Sequence, residues 1–274
     1  KNMVTIGGVN VAEWGKDEIV GGEALNIPYV TFTADAEQKF KMTANNGYTI
    51  SGLEYSVNYG KWTKVVENDE VTFGNDKGNL RLRGKNENGT ADFSTKGYAT
   101  IEFSFSNVNV ACMGDIRTLL DWENYKTVDT SKACFGALFA YCTVLTSAPD
   151  LPAMTLSPDC YGSMFARCTA LEKAPDLPAT TLAESCYRGM FLGCTALEKA
   201  PDLPATELAV LCYNLMFGNC LNLSTVTMSA PSDKITETED CCSKWLYNAG
   251  TKAQKRTLQL KDKDAYDALK AKDC

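Results

Sequence analysis

Twelve cysteines and no histidine decide what chemistry this chain can attempt. The missing imidazole removes Ser-His-Asp triads, Cys-His nucleophiles, His-ligated zinc and histidine general bases together. Thiols remain, and none falls in the first 111 residues, so a disulfide-stapled scaffold is not the plan of the whole chain. Eight of them recur every 26 residues in two sets: Cys134, Cys160, Cys186 and Cys212, then Cys142, Cys168, Cys194 and Cys220. Within a copy the two cysteines stand eight residues apart. On a helix that is about 12 Å of rise, too far for a disulfide or shared metal ligation. Between copies the side chains of one set point in parallel, so the reading is small buried hydrophobes, with a thiolate metal or redox site as the alternative. Cys112, Cys241, Cys242 and Cys274 fall outside both sets, and a bridge from Cys274 to Cys241 or Cys242 stays open. No cofactor or metal is expected.

Charged residues recur at the same period. Asp150, Asp176 and Asp202 form one row, accompanied by Glu172, Lys173, Glu198 and Lys199. Stacked carboxylates suit a ligand or a hard cation such as Ca²⁺. Mixed with lysines, they also suit a solvated turn whose charges offset one another. A third row, Tyr161, Tyr187 and Tyr213 headed by Phe135, reads as outer core over the phenylalanines rather than a sugar-stacking ladder. Earlier in the chain, Tyr59 and Trp62 are candidates for stacking on a sugar. No G-x-S-x-G, Walker loop or dinucleotide glycine motif is present, and no two carboxylates are distinctively paired. The chain therefore reads as non-catalytic, with a glycoside-active enzyme as a remote alternative.

The elements that must position these residues fall into two parts. Residues 28–111 read as strands at Pro28–Thr33, Phe40–Thr43, Tyr48–Val57, Lys61–Val66, Glu70–Phe73, Asn79–Arg83 and Thr100–Phe105. Leu80 and Leu82 alternate with Arg81 and Arg83, and Ile101, Phe103 and Phe105 with Glu102 and Ser104, so one face is buried and the other wet. About seven such strands predict an antiparallel sandwich. Residues 1–27 are left as an arm or edge strand. Beyond residue 133 the chain repeats: residues 160–185 and 186–211 agree at 19 of 26 positions. Cys134 opens another copy, Cys212 a fourth that decays after Val226, and Cys241 a degenerate fifth, 29 residues on. A fixed period in the twenties predicts a solenoid, a stack of units none of which buries its apolar stripe alone. Each copy reads as a short helical half, with Cys186, Met190 and Phe191 near one stripe, and an extended half over residues 197–204. Eight of the nine prolines lie in residues 149–231, which keeps any ladder between copies short. Residues 112–133, with Leu119, Leu120 and Trp122, read as a first cap. Residues 251–274 read as a second, ending in an amphipathic helix with Tyr266 and Leu269 on one side.

The run C-Y-x-x-M-F-x-x-C-T-A-L-x-x-A-P-x-L-P-A-T-x-L closely resembles the BspA-like leucine-rich repeats of surface proteins in Bacteroides and relatives. It covers residues 134–231 well and 232–250 loosely. The segment LEYSVNYGKWTKV through LRLRGKNENGTA is similar to the β-sandwich that often precedes such repeats. The resemblance implies an α+β chain: an N-terminal antiparallel β-sandwich (28–111), an N-terminal cap (112–133), a short leucine-rich-repeat solenoid with 26-residue repeats (134–250), and a C-terminal cap (251–274). It also implies a secreted or lipid-anchored cell-surface adhesion or recognition protein, and it brings no catalytic residues. The expected partner is a host or matrix protein, or a glycan, met through Asp150, Glu172, Lys173, Asp176, Glu198, Lys199 and Asp202; the alternative is carbohydrate capture by the sandwich. Nucleic acid is not expected, because the net charge is −7 with no long basic run. Nor is a membrane span, because no stretch approaches 18 apolar residues. The chain opens at Lys1 without an apolar signal segment, which fits a cytosolic protein or one whose signal has been removed.

Overall fold

Alternation along the first hundred residues becomes two facing sheets. The computed structural model describes residues 3–6, 9–13, 27–94, 98–272 and 274. Strands β1 (Met3–Ile6) and β2 (Val9–Glu13) pair as an antiparallel hairpin. Of the expected arm over residues 1–27, the remaining positions except Ile27 lie outside the described residues. There follow β3 (Val30–Thr33), β4 (Gln38–Asn45), β5 (Leu53–Val57), β6 (Thr63–Lys64), β7 (Val71–Phe73), β8 (Leu80–Gly84), β9 (Ala91–Asp92), β10 (Ala99–Phe105) and β11 (Val110–Met113). One sheet has the order β7-β4-β10-β9. The other runs β12-β11-β3-β8-β5-β6, where β12 (Leu145–Ser147) belongs to the first repeat. All pairings in these two sheets are antiparallel except β11 with β12, which is parallel. The sheets meet through their aromatic faces: Phe40 and Phe103 lie 5.1 Å apart, and Phe32 is 5.9 Å from Phe40 and 6.0 Å from Phe103.

The same core continues into the repeats. Phe103 meets Phe139 edge-on at 5.2 Å. From there Phe139, Phe165, Phe191 and Phe217 stack nearly parallel at 5.3, 5.7 and 5.6 Å. Tyr161, Tyr187 and Tyr213 form a second buried stack at 6.0 and 6.1 Å. The parallel β11–β12 pairing passes to single bridges, Ser147 with Lys173 and Lys199 with Thr225, and then to β13 (Thr225–Met228) and β14 (Thr257–Leu260), which pair in parallel.

The leucine-rich-repeat solenoid expected after the sandwich is not formed. Among the described residues the structure is mostly β-sheet, its sheets are open, and its two α-helices, α1 (Ser232–Glu237) and α2 (Lys263–Ala271), both lie near the C-terminus. The segment expected to be the helical half of each copy is a chain of tight turns. In Cys186–Cys194, Met190 N–H donates to Tyr187 O and Leu192 N–H to Gly189 O, three residues back. The intervening donors leave the copy: Tyr187 donates to Cys212 O at 3.1 Å, Phe191 to Met216 O at 2.9 Å and Gly193 to Gly218 O at 2.7 Å. Every fourth residue has positive φ, as in Ser185, Gly189 and Gly193, and again in Leu211, Leu215 and Asn219. A left-handed residue at that interval cannot continue a right-handed helix. In the extended half, prolines withhold the N–H groups a continuous parallel sheet would need, and isolated bridges remain.

Helix α2 forms near where its pattern placed it, capped by Asp262, whose side chain accepts from the Ala265 N–H. Ala265, Ala268 and Leu269 face inward, whereas Tyr266, expected beside Leu269, is 51% exposed.

Candidate functional site

Two copies in register, with Asp150 from the copy before them, build one charged surface. The residue after each buried Leu171 and Leu197 is forced outward, which exposes Glu172 and Glu198, then Lys173 and Lys199. Pro175 and Pro201 turn the chain so that Asp176 and Asp202 are exposed before the buried Leu177 and Leu203. The register is fixed by repeated bonds: Glu172 N–H donates to Thr146 O, Thr195 Oγ1 to Thr169 O, and Thr206 N–H to Thr180 O. The structure therefore brings together the six charged residues read from the sequence, and Asp150 heads their aspartate row. Among the described residues none of the six forms a direct ion pair. Asp150 has its pKa raised by burial first, then by Asp115 and Asp176, against Lys173. Like charges one turn apart are thus close enough to sense each other.

The thiols form a ladder behind this surface. Cys168 Sγ donates to Phe139 O at 3.1 Å, Cys194 to Phe165 O at 3.1 Å and Cys220 to Phe191 O at 3.0 Å, each reaching one copy back. Cys142 closes the series on Phe103 O of the sandwich at 3.0 Å. All twelve cysteines are unbridged. Burial pushes Cys134, Cys212 and Cys220 up to about 12, and Cys160, Cys168 and Cys194 well above the usual thiol range. A thiol that stays protonated is a poor nucleophile and a poor metal ligand. Among the described residues no cluster of three or more cysteines, aspartates and glutamates is placed to hold a metal ion.

The chain matches no protein-family model, no curated protein and no solved structure. The likeness to BspA-like repeats therefore rests on the repeat motif itself, and the geometry must argue for function.

Tyr59 and Trp62 do come together, on the outer face of the larger sheet, but not as bare stacking platforms. The Arg81 guanidinium lies 4.5 Å from the Tyr59 ring centre and 5.0 Å from that of Trp62. Arg83 sits 4.2 Å from both Trp62 and Trp122, and Tyr29 meets Trp62 edge-on at 4.9 Å. Arg81 is only 8% exposed, so this is a packed cation–aromatic layer. In the sequence Arg81 and Arg83 read as the wet side of β8, with no sign of their contact with the aromatics. The signal was the arginine alternation itself: two long cations on an outward face, beside the β5–β6 connection that carries Tyr59 and Trp62, will cover ring surface with their stems and heads. Among the described residues no helix is long and apolar enough to cross a membrane.

Proposed function

We propose that this protein is a non-catalytic recognition protein that binds a macromolecular partner through the charged face of its repeat stack. The observation that carries this reading is that Glu172, Lys173, Asp176, Glu198, Lys199 and Asp202 are exposed, in register, and without ion pairs among the described residues. Two identical sets of charges one turn apart, on extended segments held by prolines and by isolated bridges to their neighbours, present a preorganised pattern that loses little conformational entropy on binding. The partner is a protein or glycan of a host surface or matrix, and the setting is the cell surface or the secreted fraction. The repeat motif's likeness to surface proteins supports that setting. Mixed charges make the attraction modest and salt-sensitive. The carbohydrate reading of Tyr59 and Trp62 has less support, because Arg81 and Arg83 already lie over those rings.

The test is capture of partners from matrix and mucin, followed by affinity measurement with the double variant Lys173→Glu and Lys199→Glu. Loss of affinity in a folded variant supports the proposal. Unchanged affinity would move the site to the sandwich, and selective glycan binding by the Tyr59 and Trp62 face would then be the stronger reading.

A further inference from the structure

The last strand of the stack is open on one side. Among the described residues β14 pairs only with β13. Thr257 N–H donates to Ser224 O at 2.7 Å, which turns the backbone groups of Thr257 and Gln259 toward β13. Alternate residues of a strand address opposite edges, so the N–H and C=O groups of Leu258 and Leu260 face outward. The apolar row also ends uncovered here. Leu258 follows Ala200 and Val226 in register, which are 3% and 5% exposed, yet is itself 39% exposed.

This edge is charged unlike the rest of the chain. Residues 252–261 hold Lys252, Lys255, Arg256 and Lys261 and no carboxylate, against a net charge of −7 for the whole protein. All four cations are exposed, and none forms an ion pair among the described residues. Lys252 and Lys255 line an open cleft of about 450 Å³ that reaches Thr257 of the strand and is bounded on its far side by Ser224, Thr225 and Glu198, the one carboxylate in its lining. Lysines commonly guard an edge by sitting on it, as do prolines and bulges. Here the cations flank an uncharged Thr-Leu-Gln-Leu strand that has neither proline nor bulge, so the edge donors stay accessible.

We infer that β14 is a docking edge for an extended acidic peptide segment of a partner, which adds as a further strand. The backbone of the added segment would bond to Leu258 and Leu260, its apolar side chains would cover Leu258, and its carboxylates would meet Lys252, Lys255, Arg256 and Lys261. Strand addition of this type takes affinity from main-chain bonds and selectivity from alternate side chains. A second copy meeting tail to tail is disfavoured, because the same four cations would face one another.

The probe is a fluorescein-labelled peptide of alternating glutamate and valine, followed by anisotropy at low salt with the intact protein. Binding is expected, with slowed amide exchange at Leu258 and Leu260. A version of the peptide N-methylated at alternate residues should lose at least about tenfold in affinity, the equivalent of one hydrogen bond. Leu258→Pro removes a donor used only by the added strand and should cause a similar loss with unchanged melting, while Lys255→Glu with Lys261→Glu should flatten the salt dependence. Lys173→Glu, on the copy away from the cleft, should leave this binding intact, which separates the edge from the charged face proposed above. Equal binding of the N-methylated peptide, or no binding of the parent peptide, would overturn the inference.

Discussion

The Sγ of Cys194 lies 3.1 Å from the carbonyl oxygen of Phe165, one copy earlier, and donates to it. The thiol is thus both a core filler and a weak rung between copies. Native-state alkylation with mass mapping should leave Cys168 and Cys194 unlabelled, because their groups are buried and stay protonated. Cys274, half-buried near the C-terminus, should label first. Rapid labelling of Cys194, or its recovery in a disulfide, would contradict the ladder.

Phe191 sits between Phe165 and Phe217 at 5.7 and 5.6 Å and is fully buried. Phe191→Ala should destabilise by roughly 3–5 kcal/mol, the usual range for an aromatic removed from a core. Asp176→Ala, on the exposed row, should stay within about 0.5 kcal/mol. Denaturant titration of both variants is the check, and equal midpoint shifts would mean that inward and outward positions had been exchanged.

Gly193 has a φ of 76°, and Arg167, Asn219 and Asn248 take positive φ at the equivalent positions. The added Cβ at Gly193 would make only an ordinary contact with Arg167, so conformation and not space sets the penalty. Gly193→Asn should therefore be nearly neutral. Gly193→Val should cost about 1–2 kcal/mol from its left-handed backbone. A thermal melt of the pair separates the two, and equal losses would argue for a steric cause.

Two carboxylates should titrate with opposite sign. Burial is the largest single influence on Asp121 and raises its pKa, but hydrogen bonds from Lys85, Asn124 and the Glu123 backbone together outweigh it and bring it down to about 2. The stability it contributes is present above the unfolded value of about 3.9 and is lost as pH falls toward the folded one. Asp150 has its pKa raised by burial, Asp115 and Asp176, so its ionised form weakens the fold as pH rises through the carboxylate range. Asp121→Asn should lower the melting temperature at pH 7, with the difference fading in acid. Asp150→Asn should raise it at pH 7, with the gain shrinking in acid. The same sign for both at pH 7 would refute one assignment.

Burial was legible in the sequence and local conformation was not. The rows Phe139 to Phe217 and Tyr161 to Tyr213 follow from a 26-residue period and apolar side chains alone, because stacking must bury whatever recurs. Cys186 and Met190, four apart, look the same on a helical stripe as on a chain of four-residue turns. Over nine residues a period of 3.6 and one of 4 cannot be told apart. The distinguishing sign was the recurrence of Gly189, Gly193, Asn219 and Asn248 at the turn positions that need positive φ. The six charged residues were legible as a row, but their lack of internal ion pairs depends on side-chain geometry that spacing does not set. The basic edge at β14 was hidden because Thr257–Leu260 reads as a cover for the stack, and which side of a strand is left unpaired is a tertiary fact.

In the turn segments, donors alternate between closing the local turn and reaching the next copy. One residue inserted between Cys186 and Cys194 would exchange these duties for everything after it. The connectors carry no such parity. The fourth copy is three residues longer than the others, and its extra length falls where α1 (Ser232–Glu237) has formed, outside the turn segments. Tyr213 and Phe217 still reach Cys241 and Trp245 at 2.8 and 2.9 Å. Duplication of whole units, with drift confined to the connectors, is therefore the route by which a gene of this kind can lengthen its product without refolding what it already encodes.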